Sequence, residues 1–200
     1  MRVVRTIALF QVVCGLIACD AMLPPKPKQY TWTEDVALDA GSIRVRRVVG
    51  IQESNSWSGD AHEAIETLSS VEFMDELASL PPWSEVLRPI VLYQDTATDE
   101  WVVVASTSSC DVWRAAGKPK PPYWEYRLQQ GHWNHVSLSE KSLGRRANLA
   151  QAYKRVAAVG HLTPELRAQV DPSARWFRTY RSVLADPNQA ICGEGYSSRP

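Results

Sequence analysis

Three pairs of β-rich runs, each joined by a short turn, constrain the fold of this chain more than any other feature. The runs are residues 30–37 with 42–49, 90–93 with 101–106, and 123–129 with 132–138. Gly41 and Gly131 lie in the first and third turns, where a tight hairpin requires a positive φ. The spacing therefore predicts three antiparallel hairpins.

Helical signals are confined to the later part of the chain. Residues 147–159 place apolar side chains on one face and are followed by Gly160, a frequent helix terminator. Thr163 before Pro164 is typical of a helix start, and Asp171 before a proline repeats that pattern. The sequence therefore predicts an α+β fold, mainly an antiparallel sheet built from hairpins, with two or three C-terminal helices packed on or beside it.

The third hairpin carries the most aromatic face of the predicted sheet. A two-residue turn pairs Tyr126 with His135 and places Trp124, Tyr126 and Trp133 on one side. Such a face is either core, which we favour, or a platform on which sugar rings of a glycan stack. The opposite face carries Glu125, and we expect it to be solvated.

No motif for catalysis, a metal or a cofactor stands out. His132 and His135 are three residues apart in a predicted strand, so they point to opposite faces and cannot bind one metal ion together. Serine-hydrolase, phosphate-loop and zinc patterns are lacking. The sequence thus predicts no catalytic residue, metal or cofactor, and leaves open a hydrolase whose site forms only in the fold.

The N-terminus has the layout of a secretory signal peptide. A short head with Arg2 and Arg5 precedes an uncharged apolar stretch at 6–18. That stretch is too short for a bilayer, which needs roughly 20 residues. We expect residues 1–18 to be removed on export.

The stretch closes with Leu16, Ile17, Ala18 and Cys19. This segment resembles the lipobox of bacterial lipoproteins, in which a small residue precedes a cysteine that receives a diacylglyceryl group. The resemblance covers only the signal peptide, and it implies cleavage before Cys19 and anchoring of the mature chain in a membrane through lipid on that cysteine. Two valines precede Cys14, and the apolar run continues after it, so Cys14 fits the pattern poorly.

Asp20 bears on which membrane holds the protein. Asp20 directly follows Cys19, and it resembles the aspartate that retains enteric-type lipoproteins in the inner membrane, facing the periplasm. The outer membrane is the alternative. Cleavage after Ala21 by an ordinary signal peptidase would instead release a soluble periplasmic protein, because small residues stand at Cys19 and Ala21.

Residues 19–28 are interpreted as a tether, and residues 29–200 as a single globular domain. The prolines between Leu23 and Lys28 favour an extended chain. Cys110 and Cys192 remain in the mature domain, and export into an oxidising compartment predicts a disulfide between them.

Charge argues against nucleic acid as a partner. The whole chain has 22 basic and 22 acidic residues, and removing Arg2 and Arg5 with the signal peptide makes the mature chain slightly acidic. The sequence predicts a lipid-anchored envelope protein with a non-enzymatic, interaction or structural role. Its expected partners are the membrane and an envelope protein or glycan. The alternatives are a glycan- or peptidoglycan-binding module and the hydrolase.

Overall fold

The computed structural model describes residues 27–53, 64–107, 109–171 and 181–184. The strands are β1 (Lys28–Ala37), β2 (Ser42–Glu53), β3 (Ala64–Phe73), β4 (Trp83–Glu85), β5 (Arg88–Asp95), β6 (Glu100–Ser106), β7 (Trp124–Gln129), β8 (His132–Val136) and β9 (His161–Leu162). The helices are α1 (Cys110–Ala115), α2 (Tyr153–Val159) and α3 (Pro164–Val170). The predicted α+β fold with a dominant antiparallel β component is confirmed.

The strands form two sheets that pack against each other. Sheet A has the order β4-β3-β2-β1-β9, and sheet B has the order β5-β6-β7-β8. Every pair is antiparallel except β1 with β9. The main core draws on both sheets and includes Val36, Val45, Val71, Phe73, Trp83, Leu92, Trp101, Val103 and Tyr126. The sequence pattern predicted the antiparallel hairpins but not their division into two sheets.

All three predicted hairpins are present. Gly41 has a φ of 82° in the first turn, and Gln130 and Gly131 have φ values of 52° and 78° in the third. Positive φ at both central residues gives the turn whose twist matches the flanking strands. Tyr126 pairs with His135, as the two-residue turn predicts.

The helix predicted over 147–159 is shorter, and α2 begins only at Tyr153. Residues 148–151 use their backbone N–H groups elsewhere. The N–H of Asn148 bonds to the carbonyl of Ile90, and that of Ala150 bonds to the buried carboxylate of Glu34. These tertiary acceptors replace the helical ones, so an apolar periodicity was not sufficient to make a helix.

The predicted residues at the end of α2 and the start of α3 are confirmed. Gly160 has a φ of 83° after α2, and the Oγ1 of Thr163 accepts the N–H of Leu166 at the start of α3. The helix expected after Asp171 lies outside the described residues.

Candidate functional site

A polar cluster is centred on Arg127, on the face of sheet B that points away from the main core. Its guanidinium bonds three carboxylates, each from a different strand. Nη1 lies 3.2 Å from Oδ2 of Asp95 and 3.0 Å from Oε2 of Glu100. Nε donates to Oε1 of Glu125 at 2.8 Å. We call these four residues the Arg127 cluster.

Glu125 is fully buried, so the prediction of a solvated position is wrong. The segment after β8 folds over this carboxylate. Ser139 donates to Oε2 of Glu125 from its N–H and its hydroxyl, both at 2.8 Å, and Ser142 donates from its hydroxyl at 2.7 Å. Sequence alternation places Glu125 on the face away from the main core, but it cannot show that a later segment covers that face.

The electrostatics of the Arg127 cluster favour the ionised forms of Asp95 and Glu100. Hydrogen bonds from Lys141, with smaller contributions from Arg127 and a backbone N–H, lower the pKa of Asp95 to about 2. Hydrogen bonds from Gln129 and Arg127 lower the pKa of Glu100. A general acid needs the opposite, a raised pKa near the working pH. Asp95 and Glu100 are therefore poorly suited to act as general acids. The hydrogen bonds from Ser139, Lys141 and Ser142 to the carboxylates instead dock residues 139–142 on sheet B.

A second ionic contact joins β1 and β2 of sheet A, on the face that the segment before α2 covers. Nη1 of Arg47 donates to Oε1 of Glu34 at 2.8 Å, and both side chains are 1% exposed. Nε of Arg47 also donates to the carbonyl of Ser70, and the guanidinium lies 5.2 Å from the ring centre of Trp32. Burial in the core lowers the pKa of Arg47, and the charge of Glu34 opposes that effect.

Thr33, Asp35 and His161 meet where β9 joins β1. Oγ1 of Thr33 lies 2.9 Å from Nδ1 of His161, and Nε2 of His161 lies 3.3 Å from Oδ2 of Asp35. Nucleophilic hydrolases use a hydroxyl, an imidazole and a carboxylate in this order. Only the fold could reveal the trio, because Thr33 and His161 are 128 positions apart in the chain.

Further contacts of the trio favour a structural role. Oγ1 of Thr33 also lies 3.4 Å from the carbonyl of Gly160, and Oδ1 of Asp35 accepts a hydrogen bond from Arg44 at 2.9 Å. His161 is 43% exposed, on an open sheet face. We interpret these bonds as the attachment of the two-residue strand β9 to β1.

The aromatic residues proposed for glycan stacking lie against the main core. Tyr126 is 8% exposed and meets Trp83 edge-on at 5.6 Å, and burial raises the pKa of its phenol to about 12. Trp133 is parallel to Phe73 at 6.4 Å, and Trp124 is half-buried beside the same core. Their positions favour the core interpretation over a stacking platform.

The other predicted sites fall mostly outside the described residues. Cys110 is the first residue of α1, whereas Cys19, Asp20 and Cys192 lie outside. The lipid site, the sorting signal and the Cys110–Cys192 disulfide therefore stay predictions. Within the described ranges, no group of three or more histidine, cysteine, aspartate or glutamate side chains is placed to hold a metal ion.

A groove of about 440 Å³ lies at the end of the two-sheet structure away from Lys28. It runs between the β1–β2 turn and the segment after β3, and we call it the distal groove. Its lining residues include Leu38, Ile43, Arg44, Met74, Asp75, Glu76, Leu77, Gln94 and Trp101. Since β1 has ten residues at about 3.3 Å each, this turn lies roughly 30 Å from Lys28.

The distal groove has an apolar floor and an acidic rim. Leu38, Ile43 and Leu77 are partly buried there against the main core. Asp75 and Glu76 form the acidic side of the rim, and no salt bridge involves either carboxylate among the described residues. Arg44 also lines the groove and is attracted to Asp75, so the two carboxylates leave the rim with a net negative charge. Asp75 also has a φ of 54°, a conformation that costs a non-glycine residue about 1–3 kcal/mol.

No protein-family model, curated protein or solved structure matches this chain. Among the described helices, none is both long and apolar enough to span a bilayer.

Proposed function

We propose that this chain is an exported envelope lipoprotein whose folded domain has a non-enzymatic interaction role. The observation that carries the proposal is Cys19, which follows an apolar stretch and a small residue in the lipobox pattern. The proline-rich sequence of residues 23–28 favours an extended conformation, and a tether of residues 19–28 in that conformation would be roughly 30 Å long. Asp20 favours the inner membrane, and the outer membrane or a soluble periplasmic form are the alternatives.

Labelling with radioactive palmitate tests the anchor. We expect the wild type and Cys14→Ala to incorporate label, and Cys19→Ala to lose it, because only the thiol of Cys19 stands at the cleavage position. Cys14→Ala is the matched control, since it changes a cysteine in the same apolar stretch. An unlabelled wild type whose mature N-terminus is Met22 would instead establish cleavage after Ala21.

The distal groove is the surface that we propose for the partner. It opens at the end away from the tether, where a membrane-anchored domain is accessible from the periplasm. The apolar floor fits a large apolar side chain, and the acidic rim of Asp75 and Glu76 complements a neighbouring lysine or arginine. We therefore propose that the groove receives a protein segment with an apolar residue next to a basic one.

Site-specific photo-cross-linking in intact cells tests this surface. We expect a photoreactive phenylalanine analogue at Leu77 to give one discrete adduct, and the same analogue at Thr31 to give none. Thr31 is the control because it is exposed on β1, near the tether. The double change Asp75→Lys and Glu76→Lys should reduce the Leu77 adduct by roughly tenfold, since it reverses the rim charge. Equal adducts at both positions, or none, would contradict the proposed surface.

A further inference from the structure

The four outer edges of the two sheets differ in how they are protected. In sheet A, the edge strands β4 and β9 are only three and two residues long. In sheet B, the edge of β5 is covered by Asn148, whose amide donates to the carbonyl of Leu92 at 2.7 Å and accepts its N–H at 2.9 Å. The five-residue strand β8 has no neighbour on its other side among the described residues.

The hairpin register determines which groups β8 presents at this edge. Gln129 and His132 flank the two-residue turn and therefore form a hydrogen-bonded pair. Hydrogen-bonded and non-hydrogen-bonded pairs alternate, so the N–H and C=O of Asn134 also face β7. The N–H and C=O groups of Trp133 and His135 consequently point outward.

The edge of β8 lacks the usual features that prevent strand pairing. Natural edge strands are commonly blocked by lysine, proline, inward-pointing charges or a β-bulge. The sequence from His132 to Val136 contains no lysine, arginine, aspartate, glutamate or proline. Its register with β7 is continuous, so no bulge turns the edge away.

We propose that β8 pairs antiparallel with β8 of a second copy of this chain, about a two-fold axis at Asn134. This register is self-complementary, because Trp133 lies opposite His135 of the second copy, and His135 lies opposite Trp133. Both residues present outward N–H and C=O groups, so four new backbone hydrogen bonds form. Asn134 lies opposite itself, and no like formal charges face each other. The result is a continuous eight-stranded sheet.

A second copy is the occupant that we propose for this edge, because the two-fold register pairs Trp133 with His135 twice and brings no formally charged side chains together. A contact of five residues from each copy buries little surface area compared with the roughly 1,200–2,000 Å² that stable interfaces bury. We therefore expect a weak dimer that is best detected by covalent cross-linking. The pairing is independent of the distal groove and of the lipid anchor.

Oxidative cross-linking of the full chain in intact cells tests the register, with dimer measured on a non-reducing gel. In Asn134→Cys the two cysteines face each other in a non-hydrogen-bonded pair, with Cα atoms about 4.5 Å apart, within disulfide range. In the matched control His132→Cys, the two cysteines are offset by about 13 Å along the strands. We expect roughly tenfold more disulfide-linked dimer from Asn134→Cys than from His132→Cys or the wild type.

A second variant separates edge pairing from random collision. His135→Pro removes an outward N–H and leaves the β7–β8 hydrogen bonds intact, a position where edge strands tolerate proline. Adding it to Asn134→Cys should lower the dimer yield to that of His132→Cys, with an unchanged far-ultraviolet circular dichroism spectrum. Equal yields from Asn134→Cys and His132→Cys, or a yield unaffected by His135→Pro in the folded protein, would overturn the proposal.

Discussion

Replacing Arg47 with methionine is expected to lower the free energy of unfolding by about 3–5 kcal/mol. The physical reason is the carboxylate of Glu34, which is 1% exposed and has Arg47 as its ionic partner. Methionine fills the volume of the arginine stem but leaves that carboxylate buried with only the N–H of Ala150 as a described hydrogen-bond donor. Urea-induced unfolding, followed by circular dichroism, measures the change.

Arg46→Met is the matched control for this prediction. Arg46 is the preceding residue on β2, but its side chain is 54% exposed and pairs with Glu72 on the open face of sheet A. Surface pairs contribute about 0–1 kcal/mol, so this variant should remain close to the wild type. Similar losses from Arg46→Met and Arg47→Met would show that burial of the Glu34–Arg47 pair is unimportant for stability.

A similarly large loss, about 3–5 kcal/mol at neutral pH, is expected for Arg127→Met. This change removes the cation that bonds Asp95, Glu100 and Glu125, two of which are at most 5% exposed. The remaining carboxylates then repel one another with less compensation. Arg44→Met, which breaks a partly exposed pair with Asp35, is the control and should cost less than about 1 kcal/mol.

The pH dependence distinguishes this electrostatic effect from a simple loss of packing. In the wild type the pKa of Asp95 is lowered to about 2, and that of Glu100 is also lowered. A lowered pKa in the folded state contributes stability above the unfolded pKa of about 4, and that contribution is lost as the pH falls towards 2. The difference in unfolding free energy between wild type and Arg127→Met should therefore be largest above about pH 5 and should narrow below pH 4. A difference independent of pH would contradict the electrostatic account.

Local sequence patterns were sufficient to predict the three hairpins and two helix boundaries. The turn at Gln130 and Gly131 sets the register of β7 and β8, because two residues with positive φ admit only one tight pairing. The helix end at Gly160 and the helix start at Thr163 were predictable for the same reason. The backbone conformation of Gly160 and the capping hydrogen bond of Thr163 both involve near neighbours in the chain. The apolar face of 147–159 was misleading, because tertiary acceptors use the N–H groups of 148–151.

The candidate sites were less accessible to prediction than the fold. Glu125 and Arg127 occupy the predicted strand, but their burial depends on Ser139 and Ser142, which arrive from a segment without a strong pattern. The contact of Thr33 with His161 joins residues 128 positions apart. Neither the period of a strand nor the chemistry of a turn contains information about which distant segment covers a given face.

The three hairpins and the residues that bound α2 and α3 follow from the sequence alone, because each depends on residues adjacent in the chain. The resemblance of residues 16–19 to a lipobox is also local, and it stays a prediction. Three further properties became visible only after folding was taken into account. The strands divide into two packed sheets, Glu34 and Glu125 are buried beside arginines, and no described strand pairs with the outer edge of β8. These properties depend on burial and on long-range partners. The contacts that stabilise these features form between residues that are far apart in the chain and meet only on folding, so no local sequence pattern predicts them.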